Sequence, residues 1–496
     1  MKKILLLVLL CIVVQAQAQQ RYLDEVFSDV AATKDVVYGQ NYPFSFGTAN
    51  LIDLKMDVYE PIGDTETERP IVVITGAGSY LPPYSLSPLG SKKDPYLIEI
   101  AHQLARRGWV AIVADYRVGW LPFGGTQTIR AKSIIQAVYR ATQDMRTLAR
   151  YLRKDAAENG NTFGVDVNKF VIAGSNTGAY NAVNTVYFNK EEELYLPKFL
   201  DDFGQPFVSL DTLGNFDGTG GIMGYHNPQY TEYSSNYQMI LSLGGAVGDI
   251  SWIDPNDIPI VSFHEMENQG TPFDCGVVIV NSTGDPIVEV CGSNAICTRA
   301  LEQGVFSVYN DAVFDDPYTQ VAESRVGSQL KNAFLPFPGV NFEPWGFYLC
   351  DVTGSPVPSG NPDALYCGST SNPGNDEFVA APYIDTVMHF FAPRAMWVLK
   401  LVGYEQFENS GVSSFVKSSL HIFPTVTQQA VQIESDNSQV EIQQVNLFDI
   451  NGRKVFDSGK IKTLQYSLTR NEIPGGVYIL SITTSEGIAQ EKITLL

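Results

Sequence analysis

Apolar strand-like runs alternate with amphipathic helical segments from about Val26 to Arg394, and this alternation restricts the fold more than any other feature of the chain. "LKMDVYEP" and "RPIVVITGAG" have the apolar, β-branched character of buried strands. "PYLIEIAHQLARRG" then reads as a helix and is followed by the strand-like "WVAIVADYR". "IIQAVYRATQDMRTLARYLRKDAAENG" is a long amphipathic helix that stops at Gly160, and "VNKFVIAG" is the strand after it. Later, "YQMILSLGGAVG" and "IPIVSFHE" are strand candidates, and "YIDTVMHFFAPR" looks like a closing helix. Parallel strands need crossovers of this length, so the expected fold is α/β, a mostly parallel sheet with helices on both faces.

The texture changes near Phe407. "FENSGVSSFVKSS" is rich in Ser and Gly and reads as a linker. Beyond it, "VQIESD", "VEIQQVNLFDINGRKVF", "LQYSLT" and "GGVYILSITTSEGIAQEKITLL" are short alternating strands with turns at Asn451-Gly452 and Gly475-Gly476. They predict a small all-β sandwich. A chain of 496 residues exceeds one ordinary domain, and the expected division is 19–407 for the α/β domain, 408–419 for the linker and 420–496 for the sandwich.

The first residues, "MKKILLLVLLCIVVQAQAQQ", combine two lysines, an apolar run from Ile4 to Val14 and an Ala16-Gln17-Ala18 site. They predict a secretory signal peptide, residues 1–18, cleaved after Ala18. Cys11 lacks the small preceding residue of a lipoprotein site, so no lipid anchor is expected. No later run reaches the roughly 18 apolar residues of a membrane-spanning helix, so no transmembrane segment is expected. A formal charge of -21 repels phosphate backbones and anionic lipids, which argues against nucleic-acid and membrane-surface roles.

Export places the five remaining cysteines where disulfides form. Cys350 and Cys367 enclose the loop "DVTGSPVPSGNPDALY" and suit a staple there, Cys275 is expected to pair with Cys291 or Cys297, and one thiol stays free. The spacings fit no zinc pattern, and no metal or cofactor is expected.

"VIAGSNTGAY" closes one predicted strand and leads into the helix-like "NTGAYNAVNTVYF". It has the frame of the nucleophile elbow G-x-S-x-G, with Gly174 and Gly178 bracketing Asn176 where that pattern has serine. A carboxamide nitrogen is delocalised into its carbonyl and cannot serve as that nucleophile, yet asparagine tolerates positive φ and so suits the turn. Ser175 is an alternative nucleophile, but one step back along the turn its side chain is expected to point away from a pocket.

Together with "LKMDVYEP", "ARRGWVAIVADYRVGW" and "YRATQDMRTLARYLRKDAAENG", the elbow region resembles secreted α/β hydrolases of the carboxylesterase, lipase and feruloyl-esterase kind. The C-terminal segment, with "IFPT", "VNLFDINGRKVF" and "IPGGVYILSITTSEGIAQEKITLL", resembles the type A sorting domain of type IX secretion cargo in Bacteroidetes. That second resemblance implies the type IX machinery as a partner and a destination outside the cell or on the outer-membrane surface, by way of the periplasm.

The hydrolase resemblance implies three further positions. In "VSFHEMENQGTPFD", His264 aligns with the histidine of a pattern like F-H-G-T-A-D and Asn268 with its aspartate, the triad acid. Glu265, Glu267 and Asp274 are nearby alternatives, and their simpler reading is as solvated loop carboxylates. In "FPGVNFEPWGFY", Phe342 takes the place of the triad histidine, so general base chemistry is absent there. In "GAGSY", Gly76, Ala77 and Gly78 correspond to the oxyanion-hole segment, with the Thr177 N–H completing it. The order 176, 268, 342 is nucleophile, acid, base, and all three positions are substituted. None of the five histidines has a clear claim to the base role.

The expected function is therefore a pseudo-esterase that acts by binding, with a small acyl, aromatic or sugar ligand or a surface protein as partner. The competing expectation is an active carboxylic-ester hydrolase with a relocated catalytic set, Ser175 or Ser79 with His264. A third is a surface protein whose old pocket has filled in.

Overall fold

The structure is a computed structural model that describes residues 20–496, apart from 45–49, 84–86, 88, 281, 341, 351–354, 358–364, 368–374, 409–418, 450–453 and 471–472. The predicted signal peptide, most of the predicted linker and the Asn451-Gly452 turn lie outside the described residues. The chain forms two compact units, one of residues up to Asn310 with Phe314–Gln406, the other of Asp311–Val313 with Phe407–Leu496.

The larger unit is built on an eight-stranded sheet. Its strands are β1 (Val30–Asn41), β2 (Ile52–Pro61), β3 (Arg69–Thr75), β4 (Val110–Ala114), β5 (Val165–Ser175), β6 (Met239–Leu243), β8 (Ile260–Glu265) and β11 (Phe334–Phe337). Three shorter strands, β7 (Ala246–Val247), β9 (Cys275–Ile279) and β10 (Pro286–Gly292), form a separate sheet. The main order is β1-β2-β4-β3-β5-β6-β8-β11, with the β1–β2 and β2–β4 pairings antiparallel and every pairing from β4 to β11 parallel. This is the mostly parallel sheet of an α/β-hydrolase fold.

Burial follows the covering. Every residue of β3, β4, β6 and β8 is buried, which explains their continuous apolar runs, whereas the edge strand β1 is largely exposed. The polar composition of β1 hid it from the sequence reading, and β11, "FLPF", is too short to show periodicity. Helix α1 (Pro95–Arg106) and the helix Glu377–Leu399 pack together, and α2 (Gln127–Glu158) packs on α3 (Thr177–Tyr187). Helix α1 starts with proline in its first turn, and α2 is capped by Thr126, which accepts from the Ile129 N–H.

Two buried arginines join α2 to the loop after β4. Arg117 donates through Nε to Asp144 Oδ1 at 2.8 Å, with both side chains fully buried, and Arg140 donates to the Gly119 carbonyl at 2.7 Å. Trp120, at the end of that loop, donates through its indole nitrogen to the Ser79 carbonyl at 2.8 Å. The loop is thereby held against the segment after β3.

The smaller unit packs a sheet of Leu420–Phe423, Ala430–Ser435 and Gln465–Thr469 with a five-stranded sheet that includes Ile442–Asp449, Gly476–Thr484 and Gly487–Leu495. Val431, Ile433 and Leu468 from the first meet Val445, Leu447, Leu480 and Ile493 from the second in one buried cluster, as a β-sandwich requires.

The β9-β10 hairpin was not legible as such. Cys275 and Cys291 stand directly opposite each other in its register and form a disulfide, and Cys297 is buried and free, which resolves the open choice of partner for Cys275. Cys350 is disulfide-bonded, and the side chain of Cys367 lies outside the described residues.

Candidate functional site

The elbow is formed where β5 ends against α3. Asn176 adopts φ 49° and ψ -114°, its N–H donates to the Leu243 carbonyl at 2.7 Å, and the helix begins at Thr177. Only tight packing holds a non-glycine residue there. A Cβ on Gly174 would stand 2.0 Å from the Gly178 carbonyl, and one on Gly178 would stand 2.0 Å from the Thr75 oxygen. Both glycines are therefore required for the helix to approach β3 and β5 so closely.

Asn176 lines a cavity of about 460 Å³. Its Nδ2 donates to Glu343 Oε2 at 3.2 Å. Sequence alignment put Phe342 at the base position; Phe342 does line the cavity, but the side chain bonded to Asn176 is the next one, Glu343. Both residues thus stand at the cavity, and Glu343 is the one joined to the elbow. The signal was available in "NFEPW", where a carboxylic acid stands beside the assigned position.

Glu343 is buried, and desolvation pushes its carboxyl above the usual range. Glu265, the last residue of β8, is fully buried and pushed up to about 8, first by burial and then by the neighbouring Glu343 carboxyl. It was expected as a solvated loop carboxylate, and burial at the strand end corrects that. Its Oε2 accepts from Asn268 Nδ2 at 3.0 Å, while its Oε1 is buried without a partner among the described residues.

Asn268 is used up by its turn. Its Oδ1 accepts from the N–H groups of Gly270 and Thr271, both at 2.8 Å, and its amide goes to Glu265. No imidazole stands beside it among these contacts. His264 is buried, its Nδ1 lies 2.8 Å from Ser293 Oγ and its Nε2 3.3 Å from the Thr271 carbonyl. Burial lowers its pKa to about 4, so the ring is neutral. It is a structural histidine, and no histidine is among the described residues lining the cavity.

Ser175 is fully buried and is not among the lining residues. Trp345 donates through Nε1 to its Oγ at 2.9 Å, and the Tyr96 hydroxyl bonds the same side chain. The turn directs it away from the cavity, as its place one step before the elbow implies.

The oxyanion segment is altered in its donors. The Ala77 N–H is already spent on the Tyr96 hydroxyl at 3.0 Å, and Gly76 does not line the cavity. Ala77 and Gly76 are therefore removed from the expected donor set. Gly78 and Thr177 do line the cavity, and their N–H groups donate to no protein acceptor among the described hydrogen bonds. The Thr177 hydroxyl accepts from the Ser79 N–H at 2.8 Å and so ties the segment to the elbow.

Much of the rest of the wall is apolar, with Ser87, Asn184, Thr271 and Ser282 among its polar residues. Trp120, Phe188 and Trp252 supply one part, with Phe188 and Trp252 stacked at 4.2 Å between centroids. The disulfide-closed hairpin supplies another through Val278, Val280, Ile287, Val288 and Val290. No group of acidic, histidine or cysteine side chains suited to a metal ion occurs among the described residues.

Residues 421–495 match the secretion system C-terminal sorting domain family. No curated protein sequence matches the chain. Among solved structures, the chain is similar to esterase 2 of Thermogutta terrifontis phosphoramylated by tabun, at 16% identity and TM-score 0.37, covering 75% of this chain and 95% of that one. It is also similar to the native form of that Planctomycetes esterase, at 17% identity and TM-score 0.33, covering 66% of this chain and 87% of that one. No helix among the described residues is long and apolar enough to cross a membrane. With its C-terminal sorting domain, the chain is secreted or attached at the cell surface.

Proposed function

We propose that this protein is a pseudo-esterase, an exported α/β-hydrolase-fold protein that binds a ligand at the old catalytic cleft without hydrolysing it. The observation that carries the reading is the Asn176 amide, held at the elbow by a hydrogen bond to the buried Glu343 carboxyl. A carboxamide there has no lone pair suited to acyl transfer, and no histidine among the described lining residues can act as its base. The cavity itself remains open, which supports binding over a filled-in structural role.

A relocated catalytic set has little support. Ser175 is turned away from the cavity, Ser79 lines it without a histidine among the described lining residues, and both ring nitrogens of His264 are engaged elsewhere. The apolar wall favours an acyl or aromatic ligand over a sugar. The type A pattern of the C-terminal segment supports export through the type IX machinery of a Bacteroidetes bacterium.

The test is turnover of p-nitrophenyl acetate and butyrate, together with labelling by a fluorophosphonate probe. Neither is expected above background. Stoichiometric labelling at any serine overturns the proposal.

A further inference from the structure

The short sheet runs in the order β7-β10-β9 and so leaves β9 (Cys275–Ile279) at an edge. Two hydrogen bonds at the ends of β9 fix which way its backbone groups point. The Gly292 N–H donates to the Asp274 carbonyl at 2.7 Å, and the Val280 N–H donates to the Asp285 carbonyl at 2.9 Å. Bonded and unbonded residues alternate along an antiparallel pair, so 274, 276, 278 and 280 turn toward β10. Cys275 agrees with this, because it stands opposite Cys291 with Cα atoms 3.9 Å apart, the closer and unbonded kind of pair. The N–H and carbonyl groups of Cys275, Val277 and Ile279 therefore turn outward, and none has a partner among the described hydrogen bonds.

Free edges are usually guarded. The main sheet guards both of its own: β1 carries Lys34 and Asp35 inside a break in its register, and β11 is four residues long and contains Pro336. The sequence of β9, "CGVVI", has neither charge nor proline. Its exposed face presents Cys275, Val277 and Ile279, the last two 52% and 44% exposed. The side-chain bonds from Gln127, Arg130 and Lys198 that hold the hairpin all end on β10, which leaves the outer side of β9 untouched by them.

The backbone groups select an extended strand as the occupant, and the uncharged face selects apolar or small side chains on alternate residues of it. Charge then decides between strands. A second copy pairing β9 with β9 about Val277 would set Asp274 against the 280–285 turn of its partner, which carries Asp285, and would join two chains of formal charge -21. Asp274 is exposed, and its carboxylate accepts from Asn294 Nδ2 with no basic partner among the described ion pairs. A basic residue flanking the incoming strand meets it.

We infer that the free edge of β9 is a docking site for an extended peptide segment of another protein, uncharged and apolar at its centre and basic at its flanks, which adds a fourth strand to the short sheet. The inference is independent of what the cavity binds and of whether it turns anything over.

The experiment is hydrogen exchange on the full chain, read residue by residue, with the peptide acetyl-KTVTVTK-amide and two controls, KTVPVTK and ETVTVTE with the same ends. At saturating KTVTVTK the amides of Cys275, Val277 and Ile279 are expected to slow about ten-fold, while Gly276 and Val278, already turned to β10, stay unchanged. The proline control loses a ladder donor and the acidic control meets Asp274, so each is expected to bind about ten-fold more weakly. Val277→Lys, at an exposed position, should abolish the slowing. Three results overturn the inference: no slowing in 275–279, equal binding of the three peptides, or slowing that does not alternate along β9. A dimer in sedimentation velocity without peptide, lost in Val277→Lys, also overturns it by giving the edge to a second copy. If that variant does not fold, the ranking and the alternation on the wild-type chain decide.

Discussion

The Asn176 amide lies 3.2 Å from Glu343 Oε2, so the elbow is joined to the loop after β11 through residue 343 and not 342. Glu343 in turn neighbours the buried Glu265, whose Oε1 has no partner among the described residues. A histidine at 343 would thus stand between the elbow and a carboxyl, the arrangement a triad requires.

Building a triad at this elbow is therefore expected to need position 343. Asn176→Ser with Glu343→His should hydrolyse p-nitrophenyl acetate at a rate about 10²-fold above Asn176→Ser alone, the lower range for a positioned general base. Asn176→Ser with Phe342→His should show no such gain. The reverse ranking in initial rates would restore the alignment of Phe342 with the triad base.

The main strands and the elbow were legible because their signals are local. Continuous apolar runs mark strands buried on both faces, and Gly174 and Gly178 mark the close approach of α3 to β3. The carboxyl pair was not legible, because Glu265 and Glu343 are far apart in sequence and meet only through the parallel pairing of β8 and β11. The loss of the Ala77 donor to Tyr96 was hidden for the same reason. Nor did periodicity reveal β9-β10, because β9 is apolar on both its exposed and half-buried positions and the burial of β10 does not alternate.

Glu265 should make stability fall as pH rises. Its carboxyl is held near 8 in the folded chain by burial and by Glu343, with Asn268 as its only recorded side-chain donor and no cation among the groups acting on it. Unfolded, it titrates near 4.5. Below that value both states are protonated and nothing is lost; between about 4.5 and 8 the unfolded state sheds its proton first, so folding weakens with rising pH. Glu265→Gln removes this contribution. Its stability relative to wild type should rise across that window by about 1.4 kcal/mol per pH unit at most, and flatten above it. A pH-independent difference in denaturant midpoints would show that the carboxyl is not so perturbed.

Ser175 is predicted to be a packing residue. Ser175→Ala leaves the buried Trp345 indole N–H without its acceptor, which should cost about 1–3 kcal/mol. Probe labelling and ligand binding should otherwise be unchanged. A variant that keeps wild-type stability while losing an esterase activity would reverse this assignment.

The Cys275–Cys291 disulfide should matter to both stability and binding. It closes a hairpin with a sequence separation of 16, for which chain-entropy arguments give about 3 kcal/mol. The hairpin it closes carries Ile279, Val280, Ile287 and Val290 into the cavity wall, while Val277 on β9 is largely exposed. A strand pair with one exposed apolar face has few other constraints on its register, so cutting the cross-link should loosen the wall before it unfolds the sheet. Cys275→Ser with Cys291→Ser is therefore expected to lower the unfolding midpoint of the larger unit. It should also speed amide hydrogen exchange in 275–291 and weaken binding of apolar probes more than that of short polar ones. Equal weakening for both kinds of probe would mean that the hairpin supports the head of the site and not its tail pocket.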